Sequence, residues 1–233
     1  MTGRETEPRS ALTARPGRRA RPEGGPQGRP EKRRAIADAA RRVFGREGYT
    51  RASVDAIAAE AGVSKRTIYN HFADKEELFL SVALEGADQV TAAIAQIMDR
   101  HLRKIVDLEE DLVAFSLDRV AAVTEFPDHF ALVRALEAEV TRIPSATLEA
   151  WTAAGPPTAH LRLAPYLRDI ADRGLLEIED AERAANHLNL LTITDLNRRT
   201  YYGAIPVPDA ETVQVITEGV RAFLRLYGPR PPN

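Results

Sequence analysis

The 233-residue sequence contains no cysteine, one tryptophan and two methionines. The absence of cysteine excludes disulfide bonds and thiolate-bound metals, and it is compatible with a reducing cytoplasm. No run of 18 or more apolar residues occurs, so we expect no transmembrane helix and no membrane partner. The N-terminal segment is rich in arginine, proline and glycine and lacks an apolar stretch, so we expect no secretory signal there.

Motifs for catalysis and cofactor binding are also missing. The sequence has no nucleophile elbow, phosphate-binding loop or dinucleotide-binding glycine motif, so we expect no catalytic residues, no cofactor and no enzyme activity. A metal site needs three or four converging ligands, and the histidines form no His-x-x-x-His pair, so we expect no metal site. His129 with His187 is the one histidine pair that merits a check. The histidines are His71, His101, His129, His160 and His187.

Charge is distributed unevenly along the chain. Residues 1–75 hold 17 lysines and arginines against 9 acidic residues, whereas residues 76–233 hold 15 against 25. This asymmetry predicts a basic module that binds a polyanion, joined to an acidic body. The N-terminal tail explains only part of this asymmetry. Residues 1–30 hold 7 arginines against 3 acidic residues, a net charge of +4, whereas residues 1–75 carry a net charge of +8.

Apolar residues recur at helical spacing along most of the chain, and no period-2 strand pattern is visible. We therefore predict an all-α protein. Residues 1–30 lack the periodicity, and we expect them to form a disordered basic arm. The predicted helices span 31–47, two short segments that follow Ser53 and Ser64, 74–98, 107–123, 127–142, 145–154, 158–173, 180–202 and 209–227.

Residues 53–72, "SVDAIAAEAGVSKRTIYNHF", predict a helix-turn-helix. Ser53 and Ser64 are N-cap candidates, and Gly62 can take the positive φ of a tight turn between two short helices. Ala58 is small where the helices would cross closely. The second helix has few apolar anchors, which is typical of a recognition helix that keeps a polar face toward the DNA major groove. The alternative is a polar surface on an ordinary helical hairpin.

The polar residues of this segment suit contacts with DNA. Lys65 and Arg66 can reach guanine or phosphate, Asn70 can read adenine, and Thr67 can touch a thymine methyl group or a phosphate. Phosphate contacts are expected from Tyr69 and His71, from the free N–H groups at the two capped helix starts, and from the flanking residues. The candidate DNA contacts are Arg29, Thr50, Arg51, Ser53, Ser64, Lys65, Arg66, Thr67, Tyr69, Asn70, His71 and Lys75.

The segment "QGRP" at 27–30 directly precedes the first predicted helix. We expect it to be extended and narrow, so that Arg29 could enter an adjacent minor groove. The alternative is a flexible leader that adds electrostatic attraction only. The remaining arm arginines are expected to add nonspecific, salt-sensitive affinity. They are Arg15, Arg18, Arg19 and Arg21.

The C-terminal body contains two helices with apolar residues on more than one side, at 180–202 and 209–227. A helix between a core and a partner needs such a wide stripe, so these helices predict a four-helix dimer interface. The alternative is that both helices are buried within one chain. The candidate interface residues are Leu188, Leu191, Val213, Thr217, Val220 and Leu224.

A cavity with a few polar groups among aromatic residues would suit an amphipathic organic ligand. For each aromatic residue, plain core packing is the alternative, and Arg134 with Glu137 could be a surface pair. The candidate ligand-binding residues are Phe115, Phe130, Arg134, Glu137, Trp151 and His187.

Residues 31–80 closely resemble the DNA-binding domain of the TetR family of bacterial transcriptional regulators. The resemblance rests on "AIADAARRVFGREGYTRASVDAIAAEAGVSKRTIYNHFADKEELFLSV". The stretches "ALVRALEAEVTRIP" and "LRDIADRGLLEIED" are similar to regulators with an AefR-like C-terminal domain. The resemblance implies a three-helix DNA-binding domain at 31–76 and a helical ligand-binding and dimerisation domain at 77–233.

The resemblance further implies a homodimer that binds a palindromic operator in double-stranded DNA, and we expect the protein to be cytoplasmic. Most members of this family are repressors that a small molecule releases, so we expect that function here. One alternative is a DNA-organising or protein-responsive member of the same fold without a small-molecule effector. Another is an all-α enzyme that retains a vestigial DNA-binding head.

Overall fold

The computed structural model describes residues 28–154 and 156–229. Across these residues the regular elements are all helical, so the predicted all-α fold class is confirmed. The α-helices are α1 Gly28–Arg51, α2 Val54–Ala61, α3 Lys65–Tyr69, α4 Lys75–Leu102, α5 Leu108–Glu125, α6 Pro127–Ala138, α7 Ser145–Ala153, α8 Ala164–Asp172, α9 Ala181–Asn189, α10 Asp195–Thr200 and α11 Asp209–Tyr227. A 3-10 segment, Pro156–Leu163, precedes α8, and a π-helical segment, Leu190–Thr194, joins α9 to α10.

Helix α1 is longer than predicted at both ends. The extended conformation expected for Gly28, Arg29 and Pro30 is wrong, because these residues form the first turn of α1. Proline is tolerated there because the first N–H groups of a helix have no intrahelical acceptor. Gly48 interrupts the helix near its predicted end, with φ 80°, and one further turn follows to Arg51. Residues 1–27, the rest of the predicted arm, lie outside the described residues.

The first hydrophobic core joins helices α1 to α4 to helix α6. Phe79 of α4 makes edge-to-face contacts with Phe44 and Tyr49, at ring-centroid distances of 5.1 and 5.0 Å. Leu132 and Leu136 of α6 are buried in the same cluster. Helix α6 therefore packs directly on α1 of the DNA-binding domain and on α4, although it follows α5 of the C-terminal body in the chain.

The second core lies between the C-terminal half of α4 and helices α5, α8, α9, α10 and α11. Helix α11 approaches the π-helical segment so closely that a Cβ atom at Gly219 would lie 2.1 Å from the Leu191 carbonyl oxygen. The Thr192 hydroxyl donates a hydrogen bond to the Leu188 carbonyl oxygen at 2.6 Å. A helix with a π-helical segment has an extra residue in one turn, which shifts the side chains beyond it around the helix axis.

Helix α4 connects the two cores. It is the one helix among the described residues whose length and composition would allow it to cross a membrane. Leu78 and Phe79 are buried in the first core, however, and Ile97 and Met98 are buried in the second. Core helices of water-soluble proteins can have this same length and composition, and 33% of the apolar window of α4 is buried within the described structure.

Candidate nucleic-acid interface and internal cavity

The predicted helix-turn-helix is formed by α2, α3 and the turn between them. Ser53 caps α2 by accepting a hydrogen bond from the Ala56 N–H at 3.1 Å. Ser64 caps α3 in the same way, accepting from the Thr67 N–H at 3.1 Å. Gly62 ends α2 in the left-handed region, with φ 65°. Each cap satisfies backbone donors that the helix leaves unpaired, so these short helices have defined ends.

Helix α3 presents a polar face to solvent. Its buried anchor is Ile68, which is 1% exposed, while Tyr69 is 45% exposed. The Lys65 ammonium group forms an ion pair with Asp55 of α2 at 2.9 Å. The remaining polar positions on this face are exposed at Arg66 and Asn70 and half-buried at Thr67 and His71.

A cluster of cations lies where α1 begins, close to His71. Burial lowers the pKa of the His71 imidazole, and the nearby charges of Arg29, Arg33 and Lys32 lower it further. The Arg33 guanidinium also lies 4.8 Å from the centre of the Phe72 ring. This places Arg29 in the neighbourhood of the recognition helix. The local positive charge favours contact with a phosphate backbone.

Thr50, Arg51 and Lys75 lie near one another beside the helix-turn-helix. The Lys75 ammonium group is 4.6 Å from the centre of the Tyr49 ring, and it donates to the Thr50 carbonyl oxygen at 3.4 Å. Burial lowers the pKa of Lys75. The Tyr49 hydroxyl donates to Glu76 at 2.6 Å. Lys75 is therefore held against the protein surface, and Arg51 is exposed.

Asp74 starts α4 with the predicted capping arrangement. Its carboxylate accepts a hydrogen bond from the Glu77 N–H at 2.7 Å. The reciprocal bond differs slightly from the usual capping box, because Glu77 accepts from the N–H of Ala73 rather than of Asp74, at 2.6 Å. This cap fixes the turn that carries the chain from the recognition helix into α4.

A cavity of about 330 Å³ opens between α4, α5, α6, α7 and the α9–α10 region. Its walls are mainly apolar and aromatic. The apolar lining comes from Ala87, Val90, Ile94, Met98, Ala122, Val123, Phe130, Val133, Leu136, Trp151, Ala159 and Ile193. The polar lining comes from Thr91, Arg119, His129, Glu137, His160, Arg162, Asn189, Asn197 and Tyr202.

Three of the polar groups in the cavity lining have strongly perturbed pKa values, and burial, with the hydrogen bond to Glu137, raises that of Tyr202 to about 12. Burial lowers the pKa of His129 to about 4, with a smaller contribution from the charge of Arg41, so its imidazole is neutral near pH 7. Burial lowers the pKa of Arg119 to about 10, so its guanidinium stays charged. The Tyr202 hydroxyl donates to Glu137 at 2.6 Å. The cavity thus combines an apolar body with a few oriented polar groups, which is typical of small-molecule sites.

The structure brings three of the six predicted ligand residues into the cavity lining. They are Phe130, Glu137 and Trp151. The other three are placed elsewhere. Phe115 is 1% exposed in the second core, Arg134 donates to the carbonyl oxygens of Tyr201 and Tyr202, and the His187 ring is hydrogen-bonded to the Tyr227 hydroxyl at 2.7 Å.

Sequence reasoning missed Arg119 and Tyr202 as lining residues. Arg119 lies on the buried side of α5, and a charged residue at a predicted apolar position of a helix could have indicated a buried functional group. Tyr202 has a φ of 51° just beyond α10, and no sequence pattern predicted that conformation. Within the described residues, no group of three or more His, Asp or Glu side chains could hold a metal ion.

The predicted dimer interface needs a correction at two positions. Leu188 and Val220 are 0% exposed because both pack inside the second core of this chain. A partner subunit cannot contact them without unfolding that core. Val213 is 44% exposed, and Leu191, Thr217 and Leu224 are half-buried. The wide apolar stripe on α9 to α11 therefore serves mainly the core within one chain.

These features define an all-α helix-turn-helix protein with a cavity-bearing helical body. The model for "Bacterial regulatory proteins, tetR family" matches residues 36–82. The model for "AefR-like transcriptional repressor, C-terminal domain" matches residues 110–229, more than half of the chain. The chain belongs to the TetR family of bacterial regulatory proteins, which confirms the resemblance inferred from its sequence.

Individual proteins support this assignment. An HTH-type transcriptional repressor from Mycobacterium tuberculosis is 32% identical over 95 residues, which are 41% of this chain and 44% of the relative. The match thus spans less than half the length of that relative. The crystal structure of a TetR-family regulator from Mesorhizobium loti is 29% identical, with a TM-score of 0.76, over 86% of this chain and 98% of that one. The flavonoid-responsive regulator FrrA is 28% identical, with a TM-score of 0.64, over 87% and 100% of the two chains.

The family and these relatives are transcriptional regulators. The prediction that the chain is not an enzyme is therefore confirmed by its relatives. TetR-family regulators bind DNA operators, which agrees with the DNA partner expected from the sequence.

Proposed function

We propose that this protein is a cytoplasmic, homodimeric transcriptional repressor that binds a palindromic operator and is released by a small organic molecule. In this proposal residues 31–76 form the DNA-binding domain, and residues 77–233 bind the effector and the partner subunit. The observation that carries the proposal is the capped helix α3, with its cationic and amide side chains at Lys65, Arg66 and Asn70 exposed to solvent. A helix buried on one side and polar on the other suits a major groove.

Dimerisation is supported by the apolar groups that one chain leaves partly uncovered near α11. Val213 is 44% exposed, and Leu191, Thr217 and Leu224 are half-buried. A second copy packed on this surface would present two recognition helices related by twofold symmetry. Such a pair reads half-sites about one helical turn apart, which is why we expect a palindrome.

Control by a small molecule is supported by the cavity and by the path from it to the DNA-binding unit. Leu136 and Glu137 of α6 line the cavity, and Leu136 is also buried in the first core. FrrA, a structural relative, is flavonoid-responsive. A ligand that displaces α6 would therefore change the packing of α1 and α4, which share the first core with the helix-turn-helix, and the two binding events would be thermodynamically coupled.

Selection of bound DNA from a random pool, carried out with the purified full chain at two salt concentrations, tests this proposal. We expect one enriched palindrome at both concentrations, because base contacts discriminate sequences that phosphate contacts do not. Binding that is lost at the higher salt and enriches no motif would contradict sequence-specific regulation. That result would favour a DNA-organising protein of the same fold instead.

A reporter placed behind the selected palindrome tests the sign of regulation. We expect expression to fall when the protein is present and to be restored in a variant with Arg66 and Asn70 both replaced by alanine. Expression that rises with the wild-type protein would identify an activator and contradict the repressor proposal while leaving operator recognition intact.

A further inference from the structure

Arg119 is a buried cation with few partners. The residue is 8% exposed, lies in α5 and lines the cavity. A guanidinium carries five N–H donors. Within residues 28–154 and 156–229, Arg119 donates one hydrogen bond, from Nη2 to the Asn189 side-chain oxygen at 2.9 Å, and its buried Nε has no partner. A buried charge left without a counter-ion costs folding free energy, so its retention calls for an explanation.

The groups around Arg119 offset its charge only in part. The guanidinium carbon lies 5.5 Å from the centre of the Phe115 ring, within the range of a cation–π contact. Asn189 is neutral, and burial is the one cause that shifts the pKa of Arg119, with no contribution from a nearby carboxylate. The acidic residue in the cavity lining, Glu137, is engaged with the Tyr202 hydroxyl.

Asn189 holds the guanidinium in a fixed orientation. The side-chain NH₂ of Asn189 donates to the Thr194 hydroxyl at 3.2 Å, and that hydroxyl donates to the backbone carbonyl oxygen of Asn189 at 3.2 Å. These bonds span the π-helical segment, so the local backbone positions the acceptor that Arg119 uses. A preoriented guanidinium loses little entropy when it binds a planar anion.

We propose that Arg119 binds the carboxylate of an amphipathic monocarboxylic acid, whose apolar body fills the rest of the cavity. The assignment rests on the proposed function of this cavity as the effector site. One carboxylate matches one guanidinium in charge and in planar geometry. The apolar and aromatic side chains of the lining would contact the apolar body of the ligand. Glu137 adds a negative charge to the lining, which disfavours a second anionic group on the same ligand.

Fluorescence of Trp151 gives a direct test, because it is the single tryptophan of the chain and it lines the cavity. The probes are 3-cyclohexylpropanoate and its amide, together with longer and shorter cyclohexyl homologues of each. These acids and amides do not absorb where tryptophan does, and each pair differs in charge but hardly in shape. We expect the best carboxylate to bind at least about tenfold more tightly than its amide.

Two variants assign that preference to a residue. Arg119→Met removes the buried cation and keeps an unbranched side chain, and we expect it to abolish the preference for carboxylate over amide. Arg225→Met is the matched control, because it makes the same change at an exposed arginine of α11 that does not line the cavity, and we expect it to retain the preference. Arg119→Lys, which keeps the charge, serves as a second variant if Arg119→Met does not fold, and we expect it to retain part of the preference.

The assignment is overturned if no carboxylate in the series binds, if acid and amide bind equally, or if the preference survives in Arg119→Met. Thermal unfolding separates a structural role from a binding role. A structural Arg119 would make Arg119→Met melt well below the wild type, whereas a ligand-binding Arg119 leaves the melting temperature of the unliganded protein unchanged or higher.

Operator binding is measured on the same preparations. Intact operator binding without a carboxylate preference overturns the carboxylate assignment but leaves the proposed DNA-binding function standing. Failure to bind DNA, with the preference present, contradicts the proposed function and supports the anion site.

Discussion

Thr50 and Glu139 form a direct link between the DNA-binding unit and the helical body. The Thr50 backbone N–H and its hydroxyl both donate to the same Glu139 carboxylate oxygen, at 2.7 and 3.0 Å. Burial opposes ionisation of Glu139, but these two hydrogen bonds, with the charges of Arg142 and Arg51, lower its pKa overall. Glu139 follows directly after α6, and the last turn of α6 lines the cavity with Leu136 and Glu137.

The charge of Glu139 should weaken DNA binding, because it lies beside the candidate phosphate contacts Thr50, Arg51 and Lys75. In Glu139→Gln the side chain keeps an acceptor for Thr50 but loses its negative charge. We expect operator affinity to rise about threefold at low salt, and the gain to shrink as salt is added. Fluorescence anisotropy with labelled operator measures this change. Glu182→Gln, the same charge change on α9, should leave the affinity unchanged, and an equal gain there would refute the local explanation.

The N-cap of the recognition helix should contribute to stability separately from DNA binding. Ser64→Ala removes the acceptor of the Thr67 N–H, and we expect the free energy of unfolding to fall by about 1 kcal/mol. Ser64→Asp keeps a good cap, so we expect nearly wild-type stability together with weaker DNA binding, because its charge repels phosphate. Urea denaturation and operator titration measure the two effects. Normal DNA binding by Ser64→Asp would exclude a phosphate near this residue.

Contacts with bases and with phosphates should respond differently to mutation. We expect Arg66→Ala and Asn70→Ala each to cost about 1–3 kcal/mol of operator binding and to relax the sequence preference. Lys75→Ala should weaken binding evenly across sequences and lower the salt slope by about one. Lys104→Ala, which removes an exposed cation between α4 and α5, is the control. A changed sequence preference in Lys75→Ala would show that Lys75 contacts a base.

DNA binding should strengthen as the pH falls, through His71. The pKa of His71 is lowered in the free protein by burial and by Arg29, Arg33 and Lys32. DNA phosphates near this cluster would raise that pKa, so the complex binds a proton more tightly than the free protein does. By linkage, affinity rises as pH drops through the interval between the two values, and we expect about a threefold gain between pH 7.5 and pH 6.

Titrations of the operator at constant salt over this pH range test the prediction. His71→Asn keeps a polar side chain that does not titrate, and we expect its affinity to vary much less with pH. If the pH dependence of this variant equals that of the wild type, another group is responsible.

The sequence predicted the DNA-binding unit well because its signals are local. Ser64 and Thr67 are three residues apart, as are Asp74 and Glu77, and Gly62 lies at the turn itself. Each such pair fixes a helix end without reference to the rest of the fold. Proline and glycine also mark most helix boundaries in the body, but α6 ends four residues before its predicted end at 142, and α8 begins six residues after its predicted start at 158 because a 3-10 segment precedes it.

The elements that the sequence did not predict depend on contacts between distant residues. Thr50 and Glu139 are 89 positions apart, and Arg119 and Asn189 are 70 apart. No periodicity indicates that α6 packs into the first core or that a π-helical segment follows α9. Leu188 of α9 and Val220 of α11 were wrongly predicted to face a partner subunit. A hydrophobic pattern does not distinguish burial within one chain from burial between two chains.

We propose that α3 reads a DNA sequence. The most direct test of this proposal is the ratio of the dissociation constants for the selected operator and for a shuffled duplex of equal length and composition, measured at one near-physiological salt concentration. We predict that the operator binds at least about 10³-fold more tightly. A ratio close to one would contradict sequence recognition by α3, because phosphate contacts alone would then explain all of the binding.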